Sequence, residues 1–328
     1  MKDLKHISLR QIVLENGKTI AGLPLTYQHF GQEIGTAPVI VVNHALTGNS
    51  NVTDWWSDLI GENKTIDTKS FTVIAFNIPG NGYDDNPENL IGNYRDFTAR
   101  DIAAFFWKGL EQLSIHSVFA VIGGSLGGGI AWEMAALEPT KINNLIPIAT
   151  DWKATDWVIA NVLIQDKILT NSDDPVSDAR LHAMLLYRTP LSLLNRFNRK
   201  KSADTFKVEN WLLDHGQKLK DRFRLSSYKL MNNLLKTVDI TRNRGSFKEI
   251  ASKITANIHL IAVDSDLFYI PEENIDTLEI LRPYKSNVFY HEIESIHGHD
   301  AFLIEHRQLS DILETIFSRL GKTISHNN

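Results

Sequence analysis

One segment restricts the fold more than any other: a glycine-rich turn with a serine at its centre, placed directly after an apolar, β-branched run. The run is Val118–Ile122, and the turn is Gly123-Gly124-Ser125-Leu126-Gly127, a G-x-S-x-G pattern. Residues 128–137 can continue from the turn as a helix. Small residues two positions from the serine allow a tight strand-to-helix turn to close without a clash. The segment therefore predicts a strand, a turn that presents a nucleophilic serine, and a helix.

The chain carries seven short apolar runs that are candidate strands. They are Ile7–Leu14, Val39–Val42, Phe71–Phe76, Val118–Ile122, Leu145–Ile148, Ile258–Val263 and Val288–Tyr290. Several lack polar alternation, which is typical of parallel strands buried on both faces. Helical patterns lie between them: Thr98 and Asp101 form a capping box for a helix toward Leu113, and residues 309–320 show one apolar helical face. This order predicts an α/β fold with a doubly wound, mostly parallel sheet.

Residues 152–252 interrupt the alternation, because they contain no convincing strand and several segments of helical period. We predict a core formed by residues 1–151 and 253–328, with residues 152–252 inserted as a helical lid. The insertion is also basic: residues 196–249 hold 14 Lys and Arg against 6 Asp and Glu, a local charge of +8 in a chain of net charge −5.

Composition excludes several classes of protein. The absence of Cys excludes a disulfide scaffold, a thiolate-ligated metal and a thiol nucleophile. No apolar run approaches the roughly 20 residues of a membrane span, and the first residues lack the apolar segment of a signal peptide. The net charge of −5 argues against a nucleic-acid partner. We therefore expect a cytoplasmic protein that contacts neither membrane nor nucleic acid.

Two backbone amides are candidate donors to a negatively charged reaction intermediate. Leu126 follows the serine at the start of a helix, where amides point toward an anion. Leu46 lies in the loop Asn43–Gly48 after the second apolar run, where the other donor of such a site is expected. His44 lies in the same loop, and we interpret it as a residue that fixes the loop by hydrogen bonding.

The acid and the base of a serine triad should follow the nucleophile in that order along the chain. Asp264 and Asp266 come directly after a candidate strand, and either can orient the histidine. His297 and His299 lie just before the last helix, and either can be the base. The spacing of these residues does not choose within either pair.

His297-Gly298-His299-Asp300 is also similar to half of a metal site. A hydrolase site of the pattern H-x-H-x-D would need an aspartate at position 301, where this chain has Ala301. We therefore expect no metal.

Many further segments resemble the homoserine O-acetyltransferase family of the α/β-hydrolase fold, over most of the chain. They include Asn43–Gly48, residues 55–61 (Trp-Trp-Ser-Asp-Leu-Ile-Gly), Ile66-Asp67, Gly123–Gly128, Ala179-Arg180, Tyr187-Arg188-Thr189, Gly216, Lys218, Arg222-Phe223, Ser227-Tyr228, Asp239-Ile240, residues 242–245, residues 265–268 and residues 298–302. Because most of these segments are not catalytic, the resemblance is more specific than the serine motif.

The resemblance assigns roles residue by residue. By match to the family motifs, Ser125 is the nucleophile, Asp266 the orienting acid and His299 the base. It further implies that Arg180 binds the carboxylate of an amino-acid substrate and that Asp300 binds its ammonium group. A planar guanidinium can hold a carboxylate through two hydrogen bonds, which suits the first of these roles.

The resemblance also implies a reaction. An acetyl group would move from acetyl-CoA, a co-substrate rather than a bound cofactor, through Ser125 to the hydroxyl of L-homoserine, in methionine biosynthesis. It suggests a homodimer formed through the helical insertion.

Two departures from the family leave alternatives open. Asn81–Pro87 replaces a longer Gly-Ser-Thr-Gly-Pro segment, and the stretch before Arg180 is short. Both would lie near the entrance of the site. The alternatives are a serine hydrolase or esterase of the same fold, transfer of succinyl, and L-serine as acceptor.

Overall fold

The computed structural model describes residues 3–317, and one eight-stranded sheet forms its centre. The strands are β1 Lys5–Leu9, β2 Leu23–Gly31, β3 Val39–Asn43, β4 Thr72–Phe76, β5 Val118–Gly124, β6 Ile142–Ile148, β7 Asn257–Val263 and β8 Val288–Ile293. Their spatial order is β1-β2-β4-β3-β5-β6-β7-β8. Strand β2 runs antiparallel to β1 and β4, and all other neighbours in this sheet are parallel.

Helices cover both faces of the sheet and form the insertion. They are α1 Val52–Trp55, α2 Ala99–Gln112, α3 Leu126–Leu137, α4 Asp156–Asn171, α5 Pro175–Tyr187, α6 Pro190–Phe197, α7 Lys207–Arg222, α8 Leu225–Lys236, α9 Phe247–Ala251, α10 Pro271–Leu281 and α11 His306–Phe317. Helices α4 to α9 all lie between β6 and β7 in the chain. No helix within residues 3–317 is long and apolar enough to cross a membrane.

The central strands lack polar alternation because both of their faces are buried. All five residues of β3 are buried: Ile40 and Val42 pack into one apolar cluster, whereas Val41 packs into the other. Helices α2 and α3 contribute to the cluster that contains Val41, and α11 contributes to the opposite one. The doubly wound α/β architecture predicted from the sequence is confirmed.

Local signals locate most elements, but one predicted strand needs correction and one strand was not predicted. The capping box is present, with the Thr98 side chain accepting from the Asp101 amide at the start of α2. The run Ile7–Leu14 is not one strand, because β1 ends at Leu9 and Ile12–Val13 pairs separately with Thr19–Ile20. Strand β2 carries Pro24, Gln28 and His29, and its mixed polarity gave no strand signal. Of the predicted apolar face at the C-terminus, Leu320 lies outside the described residues.

The insertion also holds a small exception to its helical character: Lys201–Ser202 pairs with Thr205–Phe206 in a two-residue hairpin. A partly buried ion network connects the end of the insertion to the core. Arg100 of α2 contacts Glu133 of α3 at 3.1 Å, and Arg242, beyond α8, contacts Glu15 at 2.8 Å. Because Arg100 also pairs with Glu15, the four side chains form one connected group.

Candidate active site

Ser125 lies in a strained turn between β5 and α3. Its φ of +54° and ψ of −125° fall where residues with a Cβ are seldom found. The turn depends on glycine neighbours: a Cβ on Gly127 would lie 2.4 Å from the Asn43 carbonyl oxygen, and one on Gly123 would lie 2.5 Å from Gly127. Helix α3 therefore approaches β3 closely, and the serine hydroxyl stands at the carboxyl edge of the sheet.

Ser125, His299 and Asp266 form a hydrogen-bonded chain. The Ser125 Oγ lies 2.9 Å from His299 Nε2, and His299 Nδ1 lies 2.7 Å from Asp266 Oδ2. Because an ionised carboxylate only accepts, Nδ1 carries the imidazole proton and Nε2 can accept from the serine hydroxyl. The three residues are 5%, 3% and 2% exposed, respectively, so water competes little for these hydrogen bonds.

The second oxygen of Asp266 is held by the backbone. Asp266 Oδ1 accepts from the amides of Phe268 at 2.7 Å and Tyr269 at 3.0 Å, which fixes the carboxylate. Asp264, the other aspartate of this loop, accepts from the Ser295 amide at 2.9 Å and so joins two loops. The structure thus brings Asp266, and not Asp264, to the histidine.

The two histidines before α11 point to different neighbours. Gly298 between them has a φ of +68°, a left-handed turn that separates their side chains. His297 Nδ1 accepts from Arg188 at 3.0 Å, and Ser192 Oγ lies at the same distance from it. His299 alone reaches Ser125. Within residues 3–317, no cluster of three or more His, Asp or Glu is arranged to hold a metal ion.

The two candidate oxyanion donors have no competing acceptor among the described residues. Leu126 is the first residue of α3, so its amide has no acceptor within the helix. The Leu46 amide donates to no other described residue. His44 fixes this loop: its Nδ1 donates to the Ala45 carbonyl at 2.8 Å, and its Nε2 accepts from the Ile78 amide at 3.0 Å. Burial lowers the pKa of His44 to about 4, so its ring is neutral near pH 7.

Aromatic side chains surround the imidazole of His299. The ring centroid of Tyr187, at the end of α5, lies 5.3 Å from that of His299, and the centroid of Phe268 lies 5.2 Å away. The Arg180 guanidinium stacks on Tyr187 at 5.7 Å from its ring centroid. The Tyr187 ring therefore lies between Arg180, on α5 of the insertion, and the His299 imidazole.

Arg180 and Asp300 bring opposite charges to the site without a salt bridge between them. Both are half-buried, and neither forms a salt bridge with any described residue. Burial raises the pKa of the Asp300 carboxyl, and the nearby charges of Arg180, His299 and Arg188 oppose that rise. A cation and an anion held apart in one site suit a ligand that carries both charges, such as an amino acid.

Sequence reasoning gave no role to the segment Tyr187–Thr189, which joins the lid to the histidine loop. Arg188 is buried and donates to Ser192 and His297, while the Thr189 hydroxyl donates to the Ile296 carbonyl. The segment appears among the family-like stretches, but its contacts with His297 and Ile296 join residues more than 100 positions apart in the chain. No local pattern could have predicted them.

Comparison with known proteins agrees with this geometry, and the fold and site define an α/β hydrolase. A family model described as the alpha/beta hydrolase fold matches residues 38–240. A curated homoserine O-acetyltransferase of Cyclobacterium marinum is 34% identical over 326 residues, covering 93% of this chain and 92% of that protein. The chain therefore belongs to the homoserine O-acetyltransferase family, a group of enzymes with the α/β-hydrolase fold.

Solved structures support the same fold. Esterase E22 superposes with a TM-score of 0.85 at 17% identity, covering 96% of this chain and 99% of that one. A homoserine O-acetyltransferase from Bacillus anthracis superposes with a TM-score of 0.81 at 20% identity, covering 96% and 97% of the two chains. Esterases and acetyltransferases thus share this architecture, and fold alone does not separate transfer from hydrolysis.

Proposed function

We propose that the protein transfers an acetyl group from acetyl-CoA to the side-chain hydroxyl of L-homoserine, through an acetyl-Ser125 intermediate. The product, O-acetyl-L-homoserine, would serve methionine biosynthesis. Family membership supports the reaction class. The observation that carries the acceptor is the unpaired Arg180 and Asp300 beside the Ser125–His299–Asp266 chain.

In the first half of the reaction, His299 Nε2 takes the proton of Ser125 as Oγ attacks the thioester carbonyl carbon. The carbonyl oxygen becomes an oxyanion, which accepts hydrogen bonds from the Leu46 and Leu126 amides. The intermediate collapses, the carbon–sulfur bond breaks, and the protonated His299 returns a proton to the leaving CoA thiolate. Asp266 stabilises the imidazolium between these two transfers.

In the second half, the hydroxyl of homoserine takes the place of the thiol. His299 removes the proton of the homoserine hydroxyl while the hydroxyl oxygen attacks the acetyl carbon. Ser125 Oγ then leaves the acetyl carbon and takes the proton from His299. Arg180 holds the substrate carboxylate and Asp300 holds its ammonium group, which directs the hydroxyl toward the ester.

Transfer has to compete with water at about 55 M, and positioning can meet that demand. A well-oriented hydroxyl reaches an effective molarity on the order of 10⁵ M or more. The serine is 5% exposed, so bulk water has little access to the ester.

The role of Arg180 predicts a loss that is specific to one substrate. Arg180→Met is expected to raise the KM for homoserine about 10- to 100-fold, because the charged hydrogen bonds to its carboxylate disappear. The KM for acetyl-CoA should stay unchanged. Arg199→Met, which removes an exposed lid arginine stacked on Phe206, is the matched control. An equal rise in both KM values in R180M would contradict the assignment.

A steady-state assay tests the reaction itself. CoA release from acetyl-CoA is expected to depend on homoserine and to follow ping-pong kinetics, with O-acetylhomoserine as product. Equal CoA release with and without homoserine would show a thioesterase instead.

The shortened segment Asn81–Pro87 at the predicted entrance makes ester hydrolysis the second candidate function. Activity on p-nitrophenyl acetate that exceeds the rate of acetyl transfer to every amino acid tested would favour hydrolysis.

We further propose that the lid forms a homodimer contact. Large apolar side chains are exposed on helices α4 to α7, which is unusual for a surface in contact with water. They are Trp157, Ile159, Leu163, Ile164, Leu185, Leu191, Leu194 and Leu213. Light scattering should give twice the chain mass, and Leu163→Asp should give the mass of one chain; a monomeric wild-type protein would exclude the contact.

A further inference from the structure

We propose that a small cavity between the lid and the oxyanion loop is the acyl pocket, and that Gln165 restricts it to a short, uncharged acyl group. We call it the Leu46 cavity; its lining includes Leu46, Gln165, Tyr187 and Phe268. The inference rests on the proposed acyl transfer and specifies which donors the same site takes.

The cavity adjoins groups that surround the catalytic residues. Its lining includes Leu46, whose amide is a candidate oxyanion donor. Two other lining residues, Tyr187 and Phe268, pack against the His299 ring. Arg180 and Asp300, the proposed acceptor-binding residues, do not line the cavity.

The size and lining of the cavity favour acetyl. It has room for about one water-sized group, which is close to the size of a methyl. Its described lining contains no Lys, Arg, His, Asp or Glu, and aliphatic residues such as Val162, Leu186 and Leu235 form much of its wall. A succinyl chain would bury its carboxylate among lining side chains that carry no positive charge, which is unfavourable.

Gln165 adds a second obstacle to an anionic chain. The side chain is 6% exposed, and its Nε2 donates to the Ala179 carbonyl at 3.1 Å and to His182 Nδ1 at 2.9 Å. Its Oε1 is buried and has no partner among the described residues. The amide cannot be reversed, because Oε1 would then face the Ala179 carbonyl, another acceptor. The partial negative charge of Oε1 therefore stays close to the cavity and repels a carboxylate, whereas a methyl group needs no donor.

Ester substrates of increasing chain length test the pocket without CoA or homoserine. Wild-type kcat/KM should fall about tenfold or more for each methylene from p-nitrophenyl acetate to propionate and butyrate. Gln165→Ala removes the wall of the cavity, and the butyrate-to-acetate ratio of kcat/KM should rise at least about tenfold. Gln165→Asn shortens the side chain at the wall and keeps the amide, so the butyrate-to-acetate ratio should rise less than in Q165A. If Q165A does not fold, Q165N is used in its place.

Leu169→Ala is the matched control. Leu169 lies one turn further along α4 and is equally buried, but it does not line the cavity. L169A should therefore leave the selectivity ratio at the wild-type value. A wild-type enzyme that accepts butyrate as well as acetate would overturn the proposal, as would equal ratios in wild type, Q165A and Q165N, or an equal rise in L169A.

The outcome is separable from that of the proposed function. If ester selectivity follows the expected pattern but homoserine receives no acetyl group, the pocket assignment holds and the transferase assignment fails. If homoserine is acetylated while Q165A and Q165N leave the ester series unchanged, the transferase assignment holds and the pocket assignment fails.

Discussion

Ser125→Ala is expected to lower kcat for acetyl transfer by about 10⁵-fold, because no other group can form the acyl-enzyme. The residual rate would come from substrate binding and the oxyanion donors alone. Folding should survive, since the side chain loses only its hydroxyl and the strained turn depends on the neighbouring glycines. The measurement is kcat at saturating acetyl-CoA and homoserine, with circular dichroism to confirm the fold.

Ser192→Ala is a suitable control for Ser125→Ala. Ser192 is another buried serine, and it contacts Arg188 and His297 rather than the base. S192A should retain activity within about tenfold of wild type. A S125A enzyme that keeps more than about a tenth of the activity would show that another residue is the nucleophile.

The second large effect distinguishes the two histidines that the sequence left open. His299→Ala is expected to lower kcat by about 10⁴-fold or more, because both proton transfers pass through its imidazole. His297→Ala should cost about tenfold or less, since the His297 ring hydrogen-bonds to Arg188 and Ser192 and not to Ser125. Both variants are measured under the same saturating conditions, and comparable losses would mean that His297 takes part in proton transfer.

The central strands could be predicted because their signal is local. β3, β4 and β5 are almost continuous apolar runs, as is β7 apart from Asn257 and His259, and burial on both faces is what such runs indicate. Strand β2 gave no such signal, because its polar side chains depend on distant partners. Gln28, for example, accepts a hydrogen bond from Ser50 at 2.7 Å, and no sequence pattern within β2 predicts that contact.

The nucleophilic serine could also be predicted from a local signal, because its strained turn needs glycine at fixed positions near the serine. The acid and the base were not readable from spacing, because residues two positions apart in a loop have no fixed relation to the sheet. The φ of Gly298 and the backbone amides of Phe268 and Tyr269 select His299 and Asp266. Only the family resemblance pointed to the same two residues before the structure did.

The sequence indicates the insertion because strand patterns stop alternating with helical ones there. Its contacts with the site gave no such signal. Tyr187 reaches His299, and Arg222 donates to the Thr47 carbonyl in the oxyanion loop at 2.8 Å. These contacts join segments more than 100 residues apart, and they depend on how the helices pack rather than on any local pattern. The Leu46 cavity exists only because of that packing.

The proposed acyl-serine mechanism is tested most directly by following the enzyme itself through one turnover. Intact-protein mass spectrometry after mixing with acetyl-CoA alone should show one added acetyl group, and peptide mapping should place it on Ser125. Addition of L-homoserine should then remove the acetyl group and yield an equal amount of O-acetylhomoserine. An enzyme that transfers acetyl to homoserine at full rate without ever carrying it, or that loses it at the same rate with and without homoserine, would contradict the mechanism.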